Sequence, residues 1–301
     1  MYKKITKAVI PAAGLSTRML PVSKSVPKVM LPVLDKPAIQ FLAEEAAASG
    51  ITDILIITGR GGYSIEDHFD YSPELEFMLG KKNDEKNLGI VRSIPNLANI
   101  HYIRQKEPRG LGHAVLCAKS FVGDDDFAVM YGDDVIIGEV PALSELLQVH
   151  KNYGVSTAGI KQVSRSELAG YCSLKVEPAD NPGEFYVYDM NEKPKNESEI
   201  FSDYAILGRV ILTPGIFDIL ERQPPGANGE IQLTDAMKTL ALSAGTAAAG
   251  NAKMTAKVFS GERHDMGSKF GFLRANIIEG LKHPETSGEL RKLIKELARG
   301  L

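Results

Sequence analysis

Residues Lys7 to Lys28 read KAVIPAAGLSTRMLPVSKSVPK: a short strand, Lys7-Ala8-Val9-Ile10, followed by an eighteen-residue loop from Pro11 before an apolar run resumes at Val29. A stretch that long without regular structure inside a compact domain is usually functional. It follows a buried strand, so it belongs at the carboxyl end of a sheet, where open α/β folds bind their ligands. Backbone amides around Ala12, Ala13 and Gly14 can approach an anion closely, because glycine and alanine put almost no side chain in the way. Arg18, Lys24 and Lys28 then meet the anion's charge. This is the outline of a nucleoside triphosphate site.

Working outward, strand-like runs alternate with helical patterns through the first half, the sign of a parallel sheet with crossover helices. A helix starts at Asp35-Lys36-Pro37, repeats Ile39, Leu42, Ala43 and Ala46 on one face, and closes at Ser49-Gly50. Strands are expected at Ile54 to Ile57, Ile100 to Ile103, Phe127 to Tyr131 and Val155 to Ile160, with helices at Gly112 to Ser120 and Pro141 to Tyr153. The core is therefore α/β and doubly wound. Later strands are expected at Phe185 to Met190, Tyr204 to Leu212 and Ala256 to Phe259. Helices are expected at Thr213 to Glu221, Glu230 to Leu242 and Glu289 to Arg299. Ala244 to Ala252 reads as a flexible low-complexity loop. No linker divides the chain, so one domain over 1–301 is expected, with the triphosphate loop in a first half over about 1–160 and a C-terminal half over about 161–301.

Composition limits the partners. The 301 residues carry 35 basic and 38 acidic side chains, a net charge of −3, so no global attraction to nucleic acid or anionic membrane is expected. Two distant cysteines, Cys117 and Cys172, suggest neither a disulfide framework nor a metal cluster. With no secretory core and no apolar run of spanning length, a cytoplasmic protein is expected.

Beyond the cationic loop, four further segments can carry chemistry. Tyr131-Gly132-Asp133-Asp134 follows an apolar strand, and carboxylates there suit Mg²⁺, a small hard cation that prefers oxygen. An acidic turn is the plainer reading of that tetrapeptide. Asp265, in His264-Asp265-Met266-Gly267, offers a third acid or simply a cap. Asn191-Glu192-Lys193-Pro194 places a carboxylate that can accept from sugar hydroxyls beside an ammonium that can meet a phosphate. Gln105 and the run Arg109-Gly110-Leu111-Gly112-His113 offer an amide for a pyrimidine edge and a backbone that a flat base can approach.

In this order the pieces resemble the bacterial UTP:glucose-1-phosphate uridylyltransferases, the UDP-glucose pyrophosphorylases of the sugar nucleotidyltransferase superfamily. The resemblance runs from Lys7-Ala8-Val9-Ile10-Pro11-Ala12-Ala13-Gly14 through Gly110-Leu111-Gly112-His113-Ala114-Val115 to Gly229-Glu230-Ile231-Gln232-Leu233-Thr234-Asp235-Ala236. It implies a Rossmann-like doubly wound mixed sheet of the nucleotide-diphospho-sugar transferase type. It further implies conversion of UTP and glucose 1-phosphate to UDP-glucose and pyrophosphate, with Mg²⁺ as cofactor and a homodimer or homotetramer as assembly. By the same resemblance Arg18 and Lys28 serve the triphosphate, Lys193 the sugar phosphate and Glu192 the sugar hydroxyls. Gln105, with backbone at Ala12 and Gly110, serves uracil. Asp133 and Asp265 are the implied metal ligands, with Asp134 an alternative.

Three positions depart from the family pattern. Ser16 stands where glycine is usual, so it must adopt the backbone geometry glycine provides. Val29 replaces a carboxylate. Cys172 replaces a glycine against which the sugar lies, and either narrows the sugar pocket or is an inert buried thiol. Transfer of a thymidylyl group, use of another sugar 1-phosphate, and a weak UDP-sugar-binding paralogue are the alternatives these departures motivate. The chain has neither the G-x-G-x-x-G spacing of a dinucleotide site nor a G-x-x-x-x-G-K-[ST] loop, which argues against a dehydrogenase or P-loop ATPase.

Overall fold

The computed structural model describes residues 3–226, 229–243 and 252–300. The loop expected at Ala244 to Ala252 lies, apart from Ala252, outside them. Thirteen strands are present among the described residues. In chain order they are β1 (Lys7–Ala12), β2 (Pro32–Val33), β3 (Lys36–Pro37), β4 (Asp53–Thr58), β5 (Asn99–Arg104), β6 (Phe127–Met130) and β7 (Asp134–Ile137). Then follow β8 (Ser156–Gln162), β9 (Cys172–Pro178), β10 (Glu184–Glu192), β11 (Tyr204–Leu212), β12 (Met254–Val258) and β13 (Glu262–Asp265).

Nine of them form one sheet in the order β5-β4-β1-β6-β11-β8-β12-β10-β9. Strands β5, β4, β1 and β6 are mutually parallel, whereas β11 runs antiparallel to β6 and to β8. The sheet is thus mixed, and its sense changes where β6 meets β11. Strand β4, Asp-Ile-Leu-Ile-Ile-Thr, is buried on both faces after its first residue, which is why it reads as a continuous apolar run. Alternate residues feed two cores: Ile10, Ile54 and Ala128 on one side, Val9, Leu55 and Val129 on the other. The helix Ala38–Ala48 covers the first core with Ile39, Leu42, Ala43 and Ala46, and ends at Ser49 before Gly50, whose φ is +85°. On the second face Phe127 stacks on Phe217 of the helix Gly215–Arg222, ring centroids 5.2 Å apart.

Most expected elements are present, with shifted ends. The single helix expected at Gly112 to Ser120 is two, Leu111–Leu116 and Lys119–Val122. The long loop after β1 is not structureless: it winds into three short 3₁₀ turns, Thr17–Met19, Val22–Lys24 and Lys28–Met30, which carry Arg18, Lys24 and Lys28 respectively. Ser16, at the entry to the first turn, has φ 54° and ψ 40°, the left-handed geometry its replacement of glycine demands.

A two-stranded ribbon of β7 and β13 stands apart from the main sheet. Its antiparallel register sets Asp265 opposite Asp134 and Arg263 opposite Ile136. The Met266 amide donates to the Asp133 carbonyl at 2.8 Å, continuing the register past the strand end. This ribbon brings two distant acidic segments together. Among the described residues, no helix is long and apolar enough to cross a membrane.

Candidate active site

A cleft of about 530 Å³ opens at the carboxyl ends of β1 and β6. Ala12, Ala13, Gly14, Arg18, Lys28, Gln105, Gly110 and Asp133 all line it, so two cations of the loop, the amide and the acidic turn converge there, whereas Lys24 lies outside the lining. Glu230, from the far end of the chain, lines it too. The link is made by backbone: Gly112 N donates to Ile231 O at 2.8 Å and Ile231 N to Arg109 O at 2.8 Å. The expected nucleotide-binding and triphosphate residues therefore share one wall system.

Gln105 is buried, and its Nε2 donates to Gly110 O at 3.2 Å and to His113 Nδ1 at 2.9 Å. That contact requires His113 to accept at Nδ1 and carry its proton on Nε2. Burial, aided by Arg109, holds the His113 imidazole below its ordinary value of 6.5, consistent with this neutral form. The glutamine is thus fixed with its amide nitrogen turned to the protein.

Lys28 Nζ lies 2.5 Å from Asp133 Oδ2, so the two cleft charges meet each other as well as facing the cavity. Burial alone would push the Asp133 carboxyl up. The Lys28 ammonium and its hydrogen bond, with a backbone amide and Arg263, together outweigh it and hold the group below the usual aspartate value. Asp265 ends β13 beside it. A Cβ built on Gly267 would lie 2.8 Å from Asp133 Oδ2 and 3.0 Å from Asp265 Oδ1, so the two carboxylates flank a space that only glycine leaves open. Two oxygen donors converging on such a cradle fit a hard divalent cation. Asp265 Oδ1 also accepts from Gly267 N at 2.8 Å, which fixes its direction.

Asp134 is placed otherwise than as an alternative ligand. Its Oδ1 is taken by Arg263, 2.6 Å from Nε and 2.5 Å from Nη2, and the side chain is buried. Burial raises its carboxyl to about 6 against the pull of Arg263, and the nearby Asp133 charge adds to the rise. It anchors the turn and does not face the cleft. Arg209 grips the same residue from behind: wholly buried, it donates Nη1 to Asp134 O at 3.0 Å and forks onto Glu45 with Nε and Nη2. Arg209, Arg263 and Glu45 went unread in the sequence, and only the position of Arg263 two residues before Asp265 hinted at any of them.

The sugar-side residues lie at the ends of β9 and β10, outside the cleft lining. Glu192 pairs in register with Cys172, and its charge, after burial, raises the phenol of the cleft residue Tyr131, so it stands beside that wall. Lys193 follows with φ 50°, donates its backbone amide to Tyr171 O at 2.9 Å, and sets Nζ 3.4 Å from Glu192 Oε1. Cys172, counted among the sugar contacts, is only 3% exposed and packs in the second core with Leu174 and Met190. Burial pushes its thiol well up, making it the inert alternative. Val29 is likewise buried, under Gly132. A separate trio, Glu262, His264 and Glu279, has metal-like spacing, but Lys282 already bridges both of its carboxylates at 3.1 and 2.8 Å.

Comparison with known proteins places this geometry. The family model for nucleotidyl transferases matches residues 7–275. A UTP–glucose-1-phosphate uridylyltransferase of Bacillus subtilis is 46% identical over 300 residues, covering 99% of this chain and 97% of that protein. One of Staphylococcus haemolyticus is 46% identical over 296 residues, covering 98% and 99%. Among solved structures, a UTP-bound UDP-glucose pyrophosphorylase from Acinetobacter baumannii superposes with a TM-score of 0.86 at 36% identity, covering 97% of this chain and 99% of that one. A UDP-glucose pyrophosphorylase complexed with UDP-glucose gives 0.82 at 38% identity, covering 93% and 100%. Matched along nearly its whole length, the chain belongs to the nucleotidyl transferase family.

Proposed function

We propose that the chain is a UTP–glucose-1-phosphate uridylyltransferase, forming UDP-glucose and pyrophosphate. The observation that carries this is the single cleft in which the cations Arg18 and Lys28, the oriented amide of Gln105 and the carboxylate of Asp133 converge. The glucose 1-phosphate oxygen is already ionised, so it attacks the α-phosphorus of UTP without a general base; the new P–O bond forms as the bond to the β-phosphate oxygen breaks. Catalysis then rests on placement and neutralisation of charge.

Arg18 and Lys28 meet the charge that develops on departing pyrophosphate, and amides at Ala13 and Gly14 meet the remaining phosphate oxygens. Because Gln105 turns Nε2 to Gly110 and His113, its Oε1 is the group that accepts from the N3–H of uracil. Cytosine offers a lone pair there, so the fixed amide rejects it. Backbone at Ala12 and Gly110 completes the base contact. Lys193 holds the sugar phosphate and Glu192 the sugar hydroxyls. Asp133 and Asp265 would hold Mg²⁺, which when bound neutralises phosphate charge as a Lewis acid. We place the division between nucleotide and sugar functions near residue 160, the protein in the cytoplasm, and its assembly as a homodimer or homotetramer.

A pyrophosphate-release assay with UTP and glucose 1-phosphate, with and without Mg²⁺, tests the reading. Turnover that needs both substrates and the metal is expected, and UTP should outcompete dTTP. Preference for dTTP, or for another sugar 1-phosphate, would replace the assigned substrate; no turnover with any pair would leave a UDP-sugar binder.

A further inference from the structure

We propose, resting on the function just given, that Arg263 is a positioning residue coupling the metal-side carboxylates to the sugar-phosphate arm of the site. Its guanidinium makes three directed contacts to two other segments. Nε and Nη2 hold Asp134 Oδ1, and Nη1 donates to Tyr171 Oη at 2.9 Å. The guanidinium also sits over the Tyr171 ring, 5.0 Å from its centroid.

Each residue it touches is joined to an assigned residue, Asp134 by the chain and Tyr171 by a backbone hydrogen bond. Asp134 follows Asp133 directly. Asp265 lies two residues beyond Arg263 on the same strand, β13. Tyr171 accepts the Lys193 backbone amide at its own carbonyl, 2.9 Å away, and so shapes the turn in which Lys193 adopts φ 50°. Asp134 is meanwhile immobilised from behind, its carbonyl by Arg209 and its Cβ by Gly208, where a built Cβ would approach to 2.9 Å. With Asp134 fixed on both sides, a shift of the Arg263 fork is transmitted to Tyr171 and Lys193 rather than absorbed.

The chemistry requires arginine. A planar fork satisfies a carboxylate with two N–H groups and keeps a third N–H for the phenol; an ammonium on a flexible stem cannot hold all three directions at once. The side chain is largely buried, at 15% exposure, so its contacts are weakly screened. Arg263, Tyr171 and Asp265 together line a second cavity of about 570 Å³, whose lining does not include Lys28.

Two variants of the full chain test the coupling, Tyr171→Phe and Arg263→Lys. The first keeps the ring under the guanidinium and removes only the accepting hydroxyl; the second keeps the charge and removes the fork. Kinetic constants for each substrate are measured alongside Mn²⁺ affinity, read by electron paramagnetic resonance with α,β-methylene-UTP present. Tyr171→Phe should raise KM for glucose 1-phosphate about 3- to 10-fold, the loss of one hydrogen bond, with Mn²⁺ affinity near that of wild type. Arg263→Lys should raise that KM at least as much and also weaken Mn²⁺ by up to about 10-fold, because the fork holds the residue beside Asp133 and shares β13 with Asp265. If both variants melt lower but keep wild-type constants in the folded protein, Arg263 is structural only and the proposal is overturned. Wild-type glucose 1-phosphate turnover with unaffected variants overturns this proposal alone. A wild type that binds Mn²⁺ and UTP but never turns over the sugar phosphate overturns the function beneath it.

Discussion

Arg18 reaches the cleft from a 3₁₀ turn entered through Ser16 in the left-handed region, so its placement depends on backbone that serine tolerates and a β-branched residue would not. This much could be read beforehand, because a departure from glycine at one position carries a definite φ requirement. The roles of adjacent acids could not. Asp133 and Asp134 are indistinguishable as sequence, and only the distant Arg263 decides which faces the cleft. Cys172 is equally ambiguous as sequence, and its burial in the second core decides its role. Arg18 is exposed and forms no ion pair among the described residues, so removing it should cost chemistry and not folding. Arg18→Ala should reduce kcat by about 10²–10³-fold, the usual loss of one charge contact made in the transition state, with an unchanged melting temperature. Stopped assays of pyrophosphate release check this, and turnover within a few-fold of wild type would remove Arg18 from that role.

Strands and helices with an apolar face were readable; elements without one were not. The helix Pro73–Lys81 buries none of its residues, and β13, Glu-Arg-His-Asp, has no apolar alternation, so neither gave a periodic signal. Yet β13 delivers Asp265. The buried pair behind the site is a second case, since Glu45 appears on the apolar face of the helix Ala38–Ala48 only because Arg209 meets it there. Glu45 Oε1 also accepts from Leu143 N at 3.0 Å, satisfying a free amide in the first turn of the helix Ala142–Tyr153. Glu45→Ala should therefore destabilise by about 3–5 kcal/mol, leaving a buried guanidinium uncompensated. Glu45→Met combined with Arg209→Met should recover much of that loss in urea melts; a double variant as unstable as the single one would mean the charges themselves are needed. The helix Tyr63–Phe69 adds a pH term. His68 Nε2 contacts Gln40 Oε1 at 3.0 Å, and burial holds its imidazole below 6.5. A histidine kept neutral in the fold stabilises above its unfolded value and loses that contribution as pH falls through the lower folded one. Melting temperature should thus fall below pH 6.5, and less steeply in His68→Gln; parallel curves for the two proteins would exclude His68 as a cause.

At the scale of the whole molecule, the parallel strands β1, β5 and β6 lead into residues that line the cleft, and the antiparallel strands β9 and β10 supply Glu192 and the approach to Lys193. Alternation of strands and helices made the first half legible, whereas the interleaving of β11 between β6 and β8 could not be inferred, because nothing local in Tyr204–Leu212 states which neighbours it takes. The two halves of the chain therefore share one sheet, and a ligand held by one half should stabilise the entire chain cooperatively. For a chain of 301 residues, nucleotide at a hundred times its dissociation constant should raise the melting temperature by about 4 °C. In the proposed function Gln105 meets only the base edge, which uracil and thymine share, so a difference between UTP and dTTP is then expected to come from the ribose hydroxyl or the thymine methyl. Mg²⁺ with UTP should give the full single-transition shift, dTTP a smaller one and CTP almost none, because its N3 presents a lone pair to the Gln105 acceptor. Differential scanning fluorimetry at matched concentrations reads all three. Equal shifts for UTP and CTP would mean that the Gln105 amide does not face the base, and a two-step transition with UTP would mean that the halves unfold apart.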